Sequence, residues 1–339
     1  MKFAVIGRNF VVDSMMSAAS RIPGLEAAAI YSRTADGARE FGENYGVERR
    51  YTDISALAGD PDVDFVYIAS PNYAHFEQSR LMLESGKHVF CEKPLVPTAA
   101  EADELYSLAR ARGLVLMEAM MPAHTPALED LRSLLSRIGS VRQAHFAFCQ
   151  YSSRYDKFRA GIVENAFRPE LCNGSLMDLG VYCAELAVML FGAPLSAEGS
   201  ACFLSTGADA AVSAVLRYPD MTASLSCSKV SQATLPSYIQ GEDGSIEIDF
   251  VSHPEKFTLK LRSGEVEQID ATPDLPIMCY ELEDMMRAVE QARRGERSVA
   301  DKYEAYTRDT VALLEQIRLS AGINFTPAGV TGGKCQGFR

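Results

Sequence analysis

The sequence predicts an α/β protein with an N-terminal, Rossmann-type doubly wound parallel sheet and a C-terminal α/β part with a large, mostly antiparallel sheet. Three observations support this prediction. Apolar strand-like runs alternate with helical segments up to about residue 120. The run 64–70 is apolar throughout, as in a strand buried on both faces. Between about 200 and 260, strand-like runs follow one another with turn signals and few helices between them, which is typical of antiparallel sheets.

Up to about residue 120, the chain alternates between strand-like apolar runs and helical segments. Its best-marked helix starts at Thr98, where Glu101 completes a capping box. The predicted elements are, in chain order, strand 2–6, helix 13–20, strand 25–31, helix 35–45, strand 64–70, helix 72–84, strand 88–91, helix 98–112 and strand 114–117. This order predicts a parallel sheet with helices on both faces.

The remaining chain has a different pattern. The predicted elements are helix 126–138, strand 141–149, helix 175–190, several strands within 200–260, and helices 278–294 and 302–320. A chain of 339 residues is long enough for two domains. We therefore predict two domains, over 1–120 and 121–325, followed by a flexible tail over 326–339.

Composition excludes several classes of function. With 33 Lys and Arg against 45 Asp and Glu, the net charge of −12 argues against a general nucleic-acid-binding surface. The sequence contains no run of 18 apolar residues, so we expect no transmembrane helix. The N-terminal apolar run is too short for the core of a signal peptide. The eight cysteines include no CxxC pair, and no His/Cys cluster has metal-ligand spacing. We expect a cytoplasmic protein with reduced thiols and no metal.

The strand 88–91 ends on the triplet Glu92-Lys93-Pro94. Pro94 cannot continue a sheet ladder and disfavours helical dihedrals at Lys93. The Lys93 ammonium therefore projects from a stiff turn at the edge where open parallel sheets bind ligands. Taken alone, the triplet is more typical of a solvated surface turn.

The first strand-to-helix turn holds an incomplete dinucleotide fingerprint. Gly7 is in place, but Asn9 and Val12 occupy the second and third glycine positions, and Phe10 lies between them. Asn9 tolerates a left-handed conformation, so the turn can persist. A plain strand-to-helix turn remains an equal alternative on this motif alone.

The second strand is followed by Ser32 and Arg33, where an NAD enzyme has an acidic residue. A serine and an arginine suit the 2′-phosphate of NADP, because arginine makes bidentate bonds to phosphate. NAD is the alternative cofactor, and a solvated arginine at a helix start is the alternative without any ligand.

Polar residues also follow the buried strand 64–70. Pro71 ends that strand, so Ser70, Asn72 and His75 are predicted near the same ligand-binding edge. Further on, Asp178 and Tyr182 are four residues apart in a very apolar helix and share one face if that segment is helical. Helix capping and ordinary core packing are the alternatives for these two residues.

Together these motifs resemble the Gfo/Idh/MocA oxidoreductases, closest to the branch of dimeric dihydrodiol dehydrogenase and glucose–fructose oxidoreductase. The resemblance covers nearly the whole chain and is most specific in Glu92-Lys93-Pro94 and in Asp178-Leu179-Gly180-Val181-Tyr182. It implies catalytic Lys93, Asp178 and Tyr182, in which Lys93 positions substrate and nicotinamide, Asp178 binds substrate hydroxyls and Tyr182 transfers a proton. The implied cofactor-binding residues are Gly7, Asn9, Phe10, Ser32, Arg33, Ser70, Pro71, Asn72, His75, Glu92 and Lys93.

The resemblance implies an NAD(P)-binding Rossmann domain over 1–120 and a substrate-binding and dimerisation domain over 121–325. It also implies an NADP-dependent dehydrogenase that moves a hydride between nicotinamide and a sugar, cyclic polyol or vicinal diol, or the matching carbonyl. A Lys93 ammonium near Tyr182 would favour the phenolate and assist proton transfer. The alternatives are a cofactor-binding sensor without turnover and a reductase of unsaturated or imine substrates. The small-molecule substrate is expected to bind a homodimer that associates through the C-terminal sheet.

Overall fold

The computed structural model describes residues 1–234 and 236–325, which form two compact units. Among the described residues, unit 1 comprises Met1–Met120 and Leu275–Arg308, and unit 2 comprises 121–274 and 309–325. The predicted tail, 326–339, lies outside the described residues. The segment 275–308, which the sequence analysis assigned to the second domain, packs with the N-terminal residues instead.

Unit 1 contains the predicted parallel sheet. Six strands lie in the order β3-β2-β1-β4-β5-β6, all parallel. The elements are β1 (Lys2–Ile6), α1 (Phe10–Ala19), β2 (Glu26–Tyr31), α2 (Ala35–Tyr45), β3 (Arg49–Tyr51), α3 (Ile54–Ala58), β4 (Phe65–Ile68), α4 (His75–Glu84), β5 (His88–Glu92), α5 (Ala99–Ala111) and β6 (Leu116–Ala119). The predicted capping box forms, because Thr98 Oγ1 accepts from the Glu101 N–H and donates to its carboxylate.

Unit 2 contains the predicted large sheet. Its eight strands lie in the order β14-β13-β12-β11-β7-β10-β9-β8, and only the described pair β7–β10 is parallel. The elements are α6 (Met121–His124), α7 (Ala127–Leu135), β7 (Val141–Cys149), α8 (Tyr155–Arg159), a π-turn (Leu176–Gly180), α9 (Val181–Phe191), β8 (Ser196–Phe203), β9 (Asp209–Arg217), β10 (Thr222–Ser228), β11 (Ser237–Gly241), β12 (Gly244–Ile248), β13 (Lys256–Leu261) and β14 (Val266–Asp270).

Two helices follow the large sheet, α10 (Ile277–Arg293) and α11 (Ser298–Ser320). Charged contacts explain why the start of α11 belongs to unit 1. Arg110 on α5 donates to the buried Glu304 carboxylate at 3.0 Å, and Arg297 donates to the Leu114 carbonyl at 2.9 Å. A buried carboxylate is costly without a partner, so these bonds fix the return of the chain.

One face of the unit 2 sheet packs against α9, and the other is open. The apolar run Pro169–Phe191 is long enough to cross a membrane, but 78% of its most apolar window is buried inside the fold, as in the core helix of a soluble protein. On β9 burial alternates, with Ala214 and Leu216 buried and Val215 57% exposed. This alternation is typical of an antiparallel sheet covered on one face only.

Gly7 ends β1 in a conformation that other residues rarely adopt. Its φ is +125°, and a Cβ at this position would lie 2.4 Å from the Ala69 carbonyl oxygen beyond β4. The turn therefore needs glycine both for its dihedral angle and for the close approach of two backbones.

We predict that Gly7→Ala lowers the free energy of unfolding by about 2–4 kcal/mol, since backbone strain and a steric collision add. Gly86→Ala is the matched control, because Gly86 has a φ of +79° but nothing within 4 Å of a new Cβ. We expect that control to cost about 1 kcal/mol. Chemical denaturation measures both, and equal losses would contradict the proposed collision.

Candidate active site

The Lys93 cluster lies where β5 ends and consists of Lys93, Glu92, Tyr67, Glu118 and Glu281. The Lys93–Pro94 peptide is cis, and the Tyr67 hydroxyl donates to Glu92 Oε1 at 2.5 Å. The Glu118 carboxylate accepts from the Leu95 N–H at 2.7 Å. Tyr67 on β4 and Glu118 on β6 therefore hold the turn that carries Lys93 from the two strands that flank β5.

The carboxyl groups of this cluster are poorly solvated. Burial raises the pKa of Glu118 to about 7 and raises the pKa of Glu281 well above its usual range. Burial also raises the pKa of Glu92, although Tyr67 and Lys93 oppose the shift. Carboxyl groups in such a setting retain protons near neutral pH, so the cluster carries less negative charge than its composition suggests.

His75 connects the ends of two strands rather than facing solvent. Its ring is fully buried, with Nδ1 3.0 Å from the Pro94 carbonyl oxygen and Nε2 2.8 Å from the Ser70 carbonyl oxygen. Burial lowers the pKa of His75, and the two carbonyl contacts oppose this shift. The residue thus fixes the loops that follow β4 and β5.

The side chain of Asn9 holds the first strand-to-helix turn in place. Asn9 is extended, with φ of −142°, so the turn does not use the left-handed conformation that asparagine tolerates. Its side chain caps α1 by accepting from the N–H groups of Val11 and Val12 at 3.1 Å, and its amide donates to the Ala69 carbonyl at 3.1 Å. Phe10 beside it is 72% exposed.

Donors collect at the end of β2. Arg33 is exposed, and among the described residues it has no ion pair. Arg8 Nη1 and Ser32 Oγ each lie 2.6 Å from where a Cβ at Gly37 would be, so both groups converge over the first turn of α2. Arg8 also binds Glu40 at 2.8 Å. The sequence did not single out Arg8, because the dinucleotide fingerprint specifies glycines in this turn and no residue type at position 8.

These residues fit a dinucleotide phosphate. Gly7 lets backbone approach backbone, and Ser32, Arg33 and Arg8 are the donor types that a 2′-phosphate needs. Asn9 already binds two helix-end amides of α1. Ser70, in the next loop, donates its hydroxyl to Gln78 Oε1 at 2.6 Å.

The Asp178 cluster lies in unit 2 and consists of Asp178, Lys229, Asp209, Phe167 and Gly174. The expected regular helix starts as a π-turn over Leu176–Gly180 and becomes α-helical from Val181. Asp209 is fully buried and accepts from the Leu176 N–H at 2.7 Å, while a Cβ at Gly174 would lie 1.8 Å from its Oδ1. Glycine is therefore required at 174 for the carboxylate to reach the turn.

Asp178 forms an ion pair with Lys229, which the sequence analysis did not single out. The Lys229 side chain is 4% exposed and that of Asp178 is 36% exposed. The ammonium also lies 5.9 Å from the centre of the Phe167 ring. A lysine directly after a strand usually reaches solvent, so no signal in the sequence marked this one.

Tyr182, the second residue of α9, is 7% exposed and its ring centre lies 5.7 Å from that of Phe148 on β7. Its ring is thus held in the core of unit 2. Among the described residues, no group of three or more His, Cys, Asp or Glu could hold a metal ion.

Comparisons with known proteins agree on one family. Residues 1–120 match the model of the oxidoreductase family with an NAD-binding Rossmann fold, and 130–247 match the GFO/IDH/MocA C-terminal domain. A scyllo-inositol 2-dehydrogenase (NADP(+)) of Bacillus subtilis is 40% identical over 95% of this chain and 98% of its own. The trans-1,2-dihydrobenzene-1,2-diol dehydrogenase of Mus musculus is 31% identical over 76% of this chain and 78% of its own.

A solved structure shares the fold. It is a 3-ketoreductase from Actinomadura kijaniata in complex with NADP and TDP-benzene, with a TM-score of 0.82 and 24% identity over 94% of this chain and 97% of that one. Two motifs are expected of the family. Glu92-Lys93-Pro94 lies at the end of β5, and the segment Asp178–Tyr182 spans the π-turn and the start of α9. The chain belongs to the Gfo/Idh/MocA family of NAD(P)-dependent oxidoreductases.

Proposed function

We propose that this protein oxidises a ring hydroxyl of an inositol-like cyclic polyol with NADP, or reduces the corresponding ketone. The observation that supports this most is the 40% identity, over nearly the full length of both chains, with a relative named for that substrate and cofactor. The diol dehydrogenase relatives act on a related pattern of neighbouring hydroxyls by name. The donors at Ser32, Arg33 and Arg8 support NADP over NAD.

The proposal gives each residue a separate task. When bound, NADP supplies the hydride acceptor, and the protein orients the substrate and moves one proton. Lys93 donates a hydrogen bond to the reacting oxygen, Asp178 accepts from a neighbouring substrate hydroxyl, and Tyr182 exchanges the hydroxyl proton. General acid–base assistance of this kind is worth on the order of 10²–10⁴-fold in rate.

A turnover screen tests the substrate class. Nicotinamide absorbance is followed with NADP and NAD against inositols, aldoses, ketoses and vicinal diols. Preferred turnover of an inositol with NADP is expected. Tight cofactor binding without turnover across the panel would instead support the sensor.

We predict that Tyr182→Phe lowers kcat by about 10²-fold or more, since it removes the transferring hydroxyl and keeps the ring. Lys93→Ala should also reduce turnover severely. Tyr218→Phe is the control, because Tyr218 in the same unit is equally buried and donates to the Gly192 carbonyl. Near-wild-type kcat in Tyr182→Phe, with chemistry limiting the rate, would make Tyr182 a core residue only.

We predict that Arg33→Ala weakens NADPH binding by about 10- to 150-fold and leaves NADH nearly unchanged, because a charge-assisted contact to the 2′-phosphate is lost. Arg39→Ala, on the exposed side of α2, is the control and should alter neither cofactor. Titration of cofactor fluorescence gives both affinities. Equal losses for the two cofactors would mean that Arg33 supports the loop and does not bind the phosphate.

We also infer that the protein is a homodimer through the open face of the unit 2 sheet. The centre of one row across this face is uncharged, in the order Val215, Ser224, His145, Tyr238, and Glu198 and Glu247 bound it on its two sides. A broad sheet face without charged side chains at its centre is typical of a buried contact. The seven described cysteines are free thiols, which supports our proposal of a cytoplasmic location.

We predict that Val215→Glu converts the dimer into a monomer, because a desolvated carboxylate without a partner would be buried at each copy of the contact. Leu319→Glu is the control, since Leu319 has a similar exposed fraction but lies on α11. Light scattering coupled to size exclusion measures the mass. A wild-type protein that is monomeric at all concentrations would remove the proposal.

A further inference from the structure

Lys229 is held in place by its backbone as well as by its charge. Its N–H donates to the Ala210 carbonyl at 2.9 Å, and its own carbonyl accepts from the Ser152 N–H at 2.9 Å. The residue is therefore fixed on both sides at the end of β10. A side chain that starts from such a fixed point loses little further entropy when it is ordered.

The ion pair of Lys229 with Asp178 is asymmetric. The Lys229 side chain is almost wholly buried, whereas about a third of the Asp178 side chain remains exposed. Burying an ion pair is not a dependable source of stability, because desolvation offsets the attraction. The pair does, however, hold the partly exposed Asp178 carboxylate in a fixed orientation, with Lys229 on its buried side.

The surroundings identify Lys229 as the principal cation of this cluster. The elements packed on the π-turn contribute the titratable groups Asp209 (β9), Cys227 (β10), Cys149 (β7), and Tyr182 and Cys183 (α9). Burial raises the pKa of Asp209 to about 6, and the Lys229 charge opposes that rise. The Leu176 N–H opposes the rise more strongly, so Asp209 is held mainly by the backbone and Asp178 is the direct partner of the ammonium.

We propose that Lys229 is a positioning residue for the reaction, whose buried ammonium orients the Asp178 carboxylate and keeps it ionised to accept a substrate hydroxyl. This inference rests on the proposed polyol dehydrogenase function. It adds a residue outside the predicted set of Lys93, Asp178 and Tyr182. Lys229 acts through Asp178 and does not touch the reacting atoms.

The test compares Lys229→Met, which keeps the length and removes the charge, with Lys229→Arg, which keeps the charge. The control is Lys302→Met, because Lys302 on α11 is exposed and its ammonium lies 5.2 Å from the centre of the Tyr303 ring. We expect Lys229→Met to lower kcat/KM for the polyol by about 10- to 150-fold, mainly through KM, with the KM for NADP unchanged. The acid limb of its kcat/KM profile should move up by about 1 pH unit or more, because Asp178 loses its counter-charge.

Lys229→Arg should recover part of kcat/KM and the position of the acid limb, and Lys302→Met should match the wild type. An unchanged acid limb in active Lys229→Met, even with reduced turnover, overturns the proposal and leaves a structural role only. If the wild type oxidises no polyol, the proposed function fails separately. A double-mutant cycle of Lys229→Met and Asp178→Asn in chemical denaturation then measures the coupling free energy of the ion pair without substrate. Zero coupling overturns the proposal that Lys229 positions Asp178.

Discussion

The position of Lys93 depends on one buried imidazole. His75 contacts the carbonyl oxygens of Ser70 and Pro94, which lie where the chain leaves β4 and β5. These strands are neighbours in the sheet, so the ring ties two adjacent loops together at its carboxyl edge. The ring is fully buried, and a neutral imidazole has one N–H, so it hydrogen-bonds one of these two carbonyl groups and packs against the other. A lysine at the tip of a loop gains a defined direction only when such a contact supports the loop.

The two units handle buried charge in opposite ways. In unit 1, Glu92, Glu118 and Glu281 belong to one cluster, and burial raises the pKa of each carboxyl group. In unit 2, the ammonium of Lys229 serves Asp178 directly and Asp209 through its field. Each cluster thereby avoids a large net charge. A neutral, hydroxyl-rich ligand is suited to such surroundings, because it offers hydrogen bonds and does not need a strong counter-charge.

The sequence was most informative where local chemistry decides the structure. The apolar run ending before Pro71, the capping box at Thr98 and the triplet ending at Pro94 are local signals, and the first sheet follows from them. Strand β3 was missed because Arg49-Arg50-Tyr51 has no apolar pattern and pairs only with β2.

The missing parts of the candidate site depend on contacts distant in sequence. Lys229 lies 51 residues from Asp178, and its burial depends on a fold that no nearby residue reveals. The Arg110–Glu304 bond, which returns α11 to unit 1, spans 194 residues. The Lys93, Asp178 and Tyr182 assignments came from family motifs, whereas the partners that hold Asp178 in place required the three-dimensional arrangement.

Asn9 has a consequence for the protein before it meets its cofactor. Because its side chain already binds two amides at the start of α1, the helix is complete without an anion. A turn built from glycines would leave those amides to solvent or to whatever phosphate is at hand. The first helix is therefore capped by the chain itself, and its folding does not require a bound phosphate.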